Sequence, residues 1–127
     1  MTKFDNARDL GIAAGFTIGA EAANAIAVTI QLKDRKNGGD LAERAAIHWY
    51  LSADTNGDAI AVVPDGGIAI GTDGLLIEWT ANLSGIAIRE SDGDIDVVIT
   101  ESTANSFYLI LVMPDGKLYS SGAITFA

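Results

Sequence analysis

The sequence predicts an all-β protein, an antiparallel β-sandwich of roughly seven to nine short strands. Three observations carry this. Apolar residues recur with period two in several segments, turn-forming Gly, Asp and Asn separate those segments, and one segment near the C-terminus is apolar on both faces. Period two puts one face of a strand in the core and the other in water, the habit of antiparallel sheets.

In Ala25 to Lys33, Ile26, Val28, Ile30 and Leu32 alternate with Ala27, Thr29, Gln31 and Lys33. In Ala45 to Ser52, one face carries Ala45, Ile47, Trp49 and Leu51, the other Ala46, His48 and Tyr50. In Asp94 to Glu101, Ile95, Val97 and Ile99 oppose Asp94, Asp96, Val98 and Thr100. Phe107 to Met113 is apolar on both faces, which predicts a central strand or one covered on both sides. Pro114-Asp115-Gly116-Lys117 then supplies a tight turn into a last strand, Leu118 to Phe126, closing a C-terminal hairpin. Shorter strands are predicted over Phe16 to Gly19, Ala59 to Val63, Gly67 to Ile70, Leu75 to Thr80 and Leu83 to Glu90. Turn signals stand at Asn37-Gly38-Gly39, Asn56-Gly57, Asp65-Gly66-Gly67, Asp73-Gly74 and Asp92-Gly93. Asp40 to Arg44 is a candidate for one helical turn. Residues 1–14 lack strand periodicity and read as a short N-terminal arm, a mobile or briefly helical segment ordered by a partner, ahead of a sandwich domain over residues 15–127.

Length and charge bound the function. A chain of 127 residues fits one domain and should bury roughly two thirds of its unfolded surface. Lys and Arg total 8 against 17 Asp and Glu, a formal charge of −9. Phosphate backbones and anionic lipid surfaces repel such a chain, so neither nucleic acid nor membrane is an expected partner. No run of about 18 apolar residues offers a membrane span. Residues 1–9 do not read as a signal peptide, and synthesis in a cytoplasm is expected. The chain has no cysteine, which removes disulfides and thiolate metal sites.

The chemistry-bearing residues are sparse. His48 is the one histidine; it falls mid-strand on the face predicted to point outward, and no Gly-x-Ser-x-Gly elbow accompanies it. Asp54, Asn56 and Asp58 match the start of an EF-hand loop, with Asp65 at the twelfth position. Ala59 replaces the glycine of the sharp bend, and strands rather than helices flank the segment, so turn chemistry is the plainer reading; cation binding there stays open. Asp92, Asp94 and Asp96 alternate along a strand start and read as a solvated acidic edge. Phosphate-loop and dinucleotide fingerprints are absent. The expectation is a protein that is not an enzyme, with no catalytic or metal-ligating residue and no cofactor. Trp49 and, by its alternation with Leu75 and Ile77, Trp79 are expected in the core. Tyr50, Tyr108 and Tyr119 are expected to be partly exposed, and the competing reading of a ligand-binding module would recognise sugar through Tyr50, Trp79 or Tyr119. Asn82-Leu83-Ser84 has glycosylation spacing, read as chance.

Five pieces of the chain resemble small structural proteins of tailed bacteriophages of the head-decoration, or cement, type: FTIGAEAANAIAVTIQLKD, HWYLSADTNGD, VVPDGGIAIGTDG, ESDGDIDVVITE and FYLILVMPDGKLYSSGAITFA. Together they run from Phe16 to Ala127. The resemblance implies an immunoglobulin-like sandwich on the outer capsid surface of a virion, with no active site to transfer. It implies a function too: decorating and stabilising the capsid by bridging subunits of the major capsid protein, as a homo-oligomer for which a trimer is the guess from shell threefold positions. The missing cysteine pair of antibody-type domains leaves room for Trp49 against Tyr108 as a core anchor. The alternatives are a neck, tail or fibre module of a virion, or a glycan- or protein-binding immunoglobulin-like module.

Overall fold

The structure is a computed structural model, and it describes residues 12–34, 39, 46–89, 94–114 and 116–127. Most of the expected N-terminal arm, the candidate helical turn at Asp40 to Arg44, and the turn signals at Asn37-Gly38 and Asp92-Gly93 lie outside the described residues.

Among the described residues there are nine strands: β1 (Ile12–Ile18), β2 (Ala25–Asp34), β3 (Ala46–Ser52), β4 (Gly67–Ile70), β5 (Leu75–Thr80), β6 (Ser84–Ile88), β7 (Asp94–Thr100), β8 (Asn105–Val112) and β9 (Leu118–Phe126). They form two antiparallel sheets, one ordered β1-β2-β7-β4 and the other β5-β6-β3-β8-β9. The chain is thus the β-sandwich that the alternation predicts. The division is four strands and five, with β1, β2 and β7 adjacent in one sheet and β3, β8 and β9 adjacent in the other. The middle of the chain takes its own route. β4 crosses to the edge of the four-stranded sheet first, and the β5–β6 hairpin then returns to fill the flank of β3.

The core forms where the inner faces meet. Ile26, Val28, Ile30 and Leu32 of β2 and Ile95, Val97 and Ile99 of β7 are buried with Ile47, Trp49 and Leu51 of β3 and Phe107, Leu109 and Leu111 of β8. Phe107 meets Phe126 of β9 edge-on at 6.0 Å, the favoured geometry for two quadrupoles and worth about 0.5–1.5 kcal/mol beyond burial. Trp49 is 2% exposed, as expected. Its proposed partnership with Tyr108 does not exist. Trp49 pairs with Leu111, and Tyr108 shares the alternate positions of β8 with Ile110, so the two rings point to opposite faces of the sheet.

Three local outcomes differ from expectation. β1 opens at Ile12, ahead of the boundary drawn at residue 15, because Ile12, Ala14, Phe16 and Ile18 alternate and pack against the core. The β1–β2 connection is a two-residue turn: Ala22 and Ala25 exchange backbone hydrogen bonds of 2.9 and 3.0 Å, with Ala23 and Asn24 at φ of 52° and 65°. This is the backbone of a type I′ hairpin, built without glycine. The strand expected over Ala59 to Val63 is reduced to one bridge, Ser52 to Ile60. β6 and Leu83 already occupy that flank of β3 up to Leu51, leaving only its last residues to receive Ala59 and Ala61.

Candidate protein-interaction face

The five-stranded sheet turns an apolar surface outward. Register fixes its rows: Leu75, Ile88 and Ala46 align across β5, β6 and β3. Ile77, Ile86, His48, Val112 and Leu118 align across all five strands. Inward-facing Ile47, Trp49 and Leu51 alternate with these positions on β3, so the rows face away from the core. Trp79, at the bulge between Glu78 and Thr80, stands beside them. Ile60 joins the same face through its bridge to Ser52. Leu75 is 53% exposed, Ile77 45%, Trp79 61% and Leu118 49%.

Trp79 is therefore on the surface and not in the core as its alternation with Leu75 and Ile77 predicts. The whole β5–β6 hairpin is inverted relative to the hydrophobic-inside rule. It points Leu75, Ile77, Trp79, Ile86 and Ile88 outward, and Leu76, Gly85 and Ala87 inward. Period two makes this an all-or-none choice, since a one-residue slip moves every side chain to the other face. Two features hold the chosen register. A Cβ at Gly85 would lie 1.9 Å from the Ile77 carbonyl, so only glycine permits this approach of β5. The β5–β6 turn places Asn82 at φ 60°, and its Oδ1 accepts from the Ile68 amide at 3.1 Å. The asparagine of the glycosylation-like triplet thus ties the hairpin turn to β4. Continuing the inward parity, Arg89 is wholly buried, an outcome the sequence reading missed because a charged residue at a strand end ordinarily faces water.

Among the described residues, the outward strand positions of this face carry no charge. Its positions on the five strands are occupied by Leu, Ile, Val, Ala, Trp, Tyr, His, Ser and Thr, with no Asp, Glu, Lys or Arg. The outer face of the other sheet is different: Thr17, Thr29 and Asp96 form one row, Gln31 and Asp94 another, with small Ala27 and Ala69 beside Val98. A depression of about 390 Å³ opens on the apolar face beside His48, lined by Ala46, His48, Val112, Met113, Pro114 and Gly116.

One corner of the face is closed by the 53–59 loop. Tyr50 donates its hydroxyl to the Gly57 carbonyl at 2.8 Å. Gly57 lies close over Tyr50 and Ile110 at φ 78°, which covers Ile110 although it points outward. Burial, with smaller contributions from the Asp58 and Asp54 charges, raises the Tyr50 phenol above its ordinary pKa. In the same loop the Asp54 carboxylate accepts from the Asp58 amide at 3.0 Å, and the Ser52 hydroxyl donates to the Ala59 carbonyl at 2.7 Å. Asn56 is exposed in the turn. Asp65, the twelfth position of the EF-hand spacing, instead directs both carboxylate oxygens to Ser102. The Asp54-x-Asn56-x-Asp58 segment is thus folded by turn chemistry. Among the described residues no three His, Asp or Glu side chains gather into a group suited to a metal ion. Asp94 and Asp96 both lie on the outer face of β7, half-buried, and Asp96 accepts from the Thr72 hydroxyl; Asp92 lies outside the described residues.

His48 points outward as expected and meets Trp79. The three rings offered for sugar recognition do not share one face. Tyr50 and Trp79 share the outer face, whereas Tyr119 pairs with inward-facing Leu111 and packs against the core.

A scan against protein-family models and searches of curated proteins and of solved structures each find no match to this chain.

Proposed function

We propose that this chain is a structural protein of a tailed-phage virion that decorates the outer capsid surface and stabilises it by bridging subunits of the major capsid protein. One observation carries the reading: a sandwich with a formal charge of −9 turns outward two apolar rows on one sheet whose described outward strand positions carry no charge. Soluble monomers rarely expose apolar patches of this extent, and such patches mark protein–protein contact. A module that works by adhesion suits a shell under outward pressure from packaged, self-repelling DNA. Each added copy contributes buried area across a seam between subunits, and the contributions sum over the shell. An acidic exterior keeps such a module away from the packaged phosphates.

Exposed Trp79, on the same outer face as Tyr50, favours a second reading, recognition of a glycan by ring stacking. Titration of the chain with glycans separates the two, because stacking on Trp79 changes its fluorescence.

The proposal is tested on purified particles. A copy number on the scale of the shell subunits, and particles that release DNA at lower temperature when the protein is missing, are the expected results. A copy number near that of a tail or neck component moves the protein to another part of the virion. Unchanged heat resistance without the protein rules out stabilisation.

A further inference from the structure

We infer that the outer face of the five-stranded sheet is covered by a second copy of this chain, the two sandwiches packing face to face about a two-fold axis. The inference rests on the reading of the chain as an adhesive module and names the partner of its apolar face.

Area is the first argument. Five strands at about 4.8 Å spacing, by seven residues at about 3.3 Å rise, give a face of about 24 by 23 Å. Covering that face on two copies removes at most roughly 1,100 Å² of projected area from water, less the corner already under the 53–59 loop, and side-chain relief raises the accessible area. This is on the order of the 1,000 Å² expected of a specific interface.

Charge is the second. Two molecules that each carry −9 repel one another over most of their surfaces. Opposing carboxylates are avoided where the strand positions carry no charge, and among the described residues the outward positions of the five-stranded sheet carry none. Asp54 and Asp58 stand at its rim beside Tyr50. A basic partner would instead be met by acidic groups placed across the contact to complement it, and the rows Leu75–Ile88–Ala46 and Ile77–Ile86–His48–Val112–Leu118 contain none.

A single patch decides the symmetry. One apolar patch per protomer is covered by its own copy in a two-fold, isologous contact. A ring of three needs two different patches on each protomer. In the pair, the Thr- and Asp-bearing outer faces of the four-stranded sheets point away from each other. Each is then available to hold one shell subunit, so the bridging unit is the pair.

The test is sedimentation of the full chain over a range of concentration, without particles, beside two variants. The wild-type chain is expected to sediment with twice its monomer mass. Ile77→Glu places a carboxylate in both halves of the contact and is expected to weaken pairing by at least about 100-fold, since an unpaired charge is expensive to bury. Thr29→Glu, on the other sheet, is expected to leave the pair intact. Circular dichroism checks that each variant keeps its β spectrum; should Ile77→Glu fail that check, Trp79→Lys, at the most exposed large side chain of β5, replaces it. A wild-type chain that stays monomeric, or a pair that Ile77→Glu leaves untouched, overturns the inference. Binding of the same proteins to particles separates the two claims. A monomer whose particle binding is lost in Ile77→Glu overturns the pair and upholds the decoration reading. A pair that binds no particle upholds the inference and overturns that reading.

Discussion

Trp79 meets His48 edge-on across β6, ring centroids 4.9 Å apart at an interplanar angle of 78°. The contact joins the edge strand to the centre of the sheet on its outer side, so the largest exposed ring is held in place rather than left to rotate in solvent. An aromatic ring that costs little entropy to immobilise is the kind of group that anchors interfaces.

The two tryptophans are predicted to behave in opposite ways. Trp49→Ala should cost about 3–5 kcal/mol, the usual cost of emptying a buried aromatic site. Trp79→Ala, measured at concentrations where the chain is monomeric, should cost no more than about 0.5–1.5 kcal/mol, the worth of its edge-on contact with His48. Urea unfolding of both variants checks this. A Trp79 variant as unstable as the Trp49 variant would place Trp79 in the core after all.

The β1–β2 turn carries removable strain. Ala23 sits at φ 52°, where a Cβ costs roughly 1–2 kcal/mol. Ala23→Gly should therefore stabilise the protein by about 0.5–1 kcal/mol after the added freedom of the unfolded chain is counted. Thermal unfolding should show a melting point a few degrees higher. A lower melting point would show that the turn is not of the I′ form.

Two glycines fix close approaches in the five-stranded sheet, and both should resist replacement. Gly85→Ala drives a methyl into the Ile77 carbonyl and should cost about 1–3 kcal/mol or more, with faster amide exchange along β5. Gly57→Ala combines positive φ with a 2.5 Å approach of the new Cβ to the Tyr50 hydroxyl, and should cost at least about 1–2 kcal/mol. Hydrogen exchange that stays slow in β5 of Gly85→Ala would contradict the assigned register.

Tyr50 gives the stability a defined alkaline limb. Burial first, and then the Asp58 and Asp54 charges, raise its pKa above the ordinary 10.0. The folded state therefore holds the phenolic proton more tightly than the unfolded chain. Tyr50's contribution is complete below about pH 10 and is lost as pH rises through its higher folded value. Tyr50→Phe should cost about 0.5–1.5 kcal/mol at neutral pH through the lost bond to Gly57, and its stability should fall less steeply than wild type above pH 10. Parallel slopes in the two proteins would show that Tyr50 is not the group responsible.

Much of the fold was legible in the sequence because burial follows alternation. β4, β5 and β9 begin and end where period two and the flanking turn residues place them, and the core sides of β2, β3 and β7 are those their apolar sets choose. The outward turn of the β5–β6 hairpin was not legible, for a physical reason. Alternation divides Leu75, Ile77 and Trp79 from Leu76 and Glu78, but it does not say which set looks inward when the inward set gains a close backbone approach at Gly85. The Ala23-Asn24 turn carries no glycine or proline to mark it. Arg89 is buried by the parity of its hairpin, against its own preference for water. Each miss lies where long-range packing outweighs a local rule.

The most direct measurement is hydroxyl-radical footprinting of the full chain, assembled against dilute. Trp79, Ile77 and Leu118 should lose reactivity together on assembly, while Val98 on the opposite sheet keeps its own. Equal labelling of Trp79 and Leu118 in both states would contradict an account in which this face is what the protein uses to adhere.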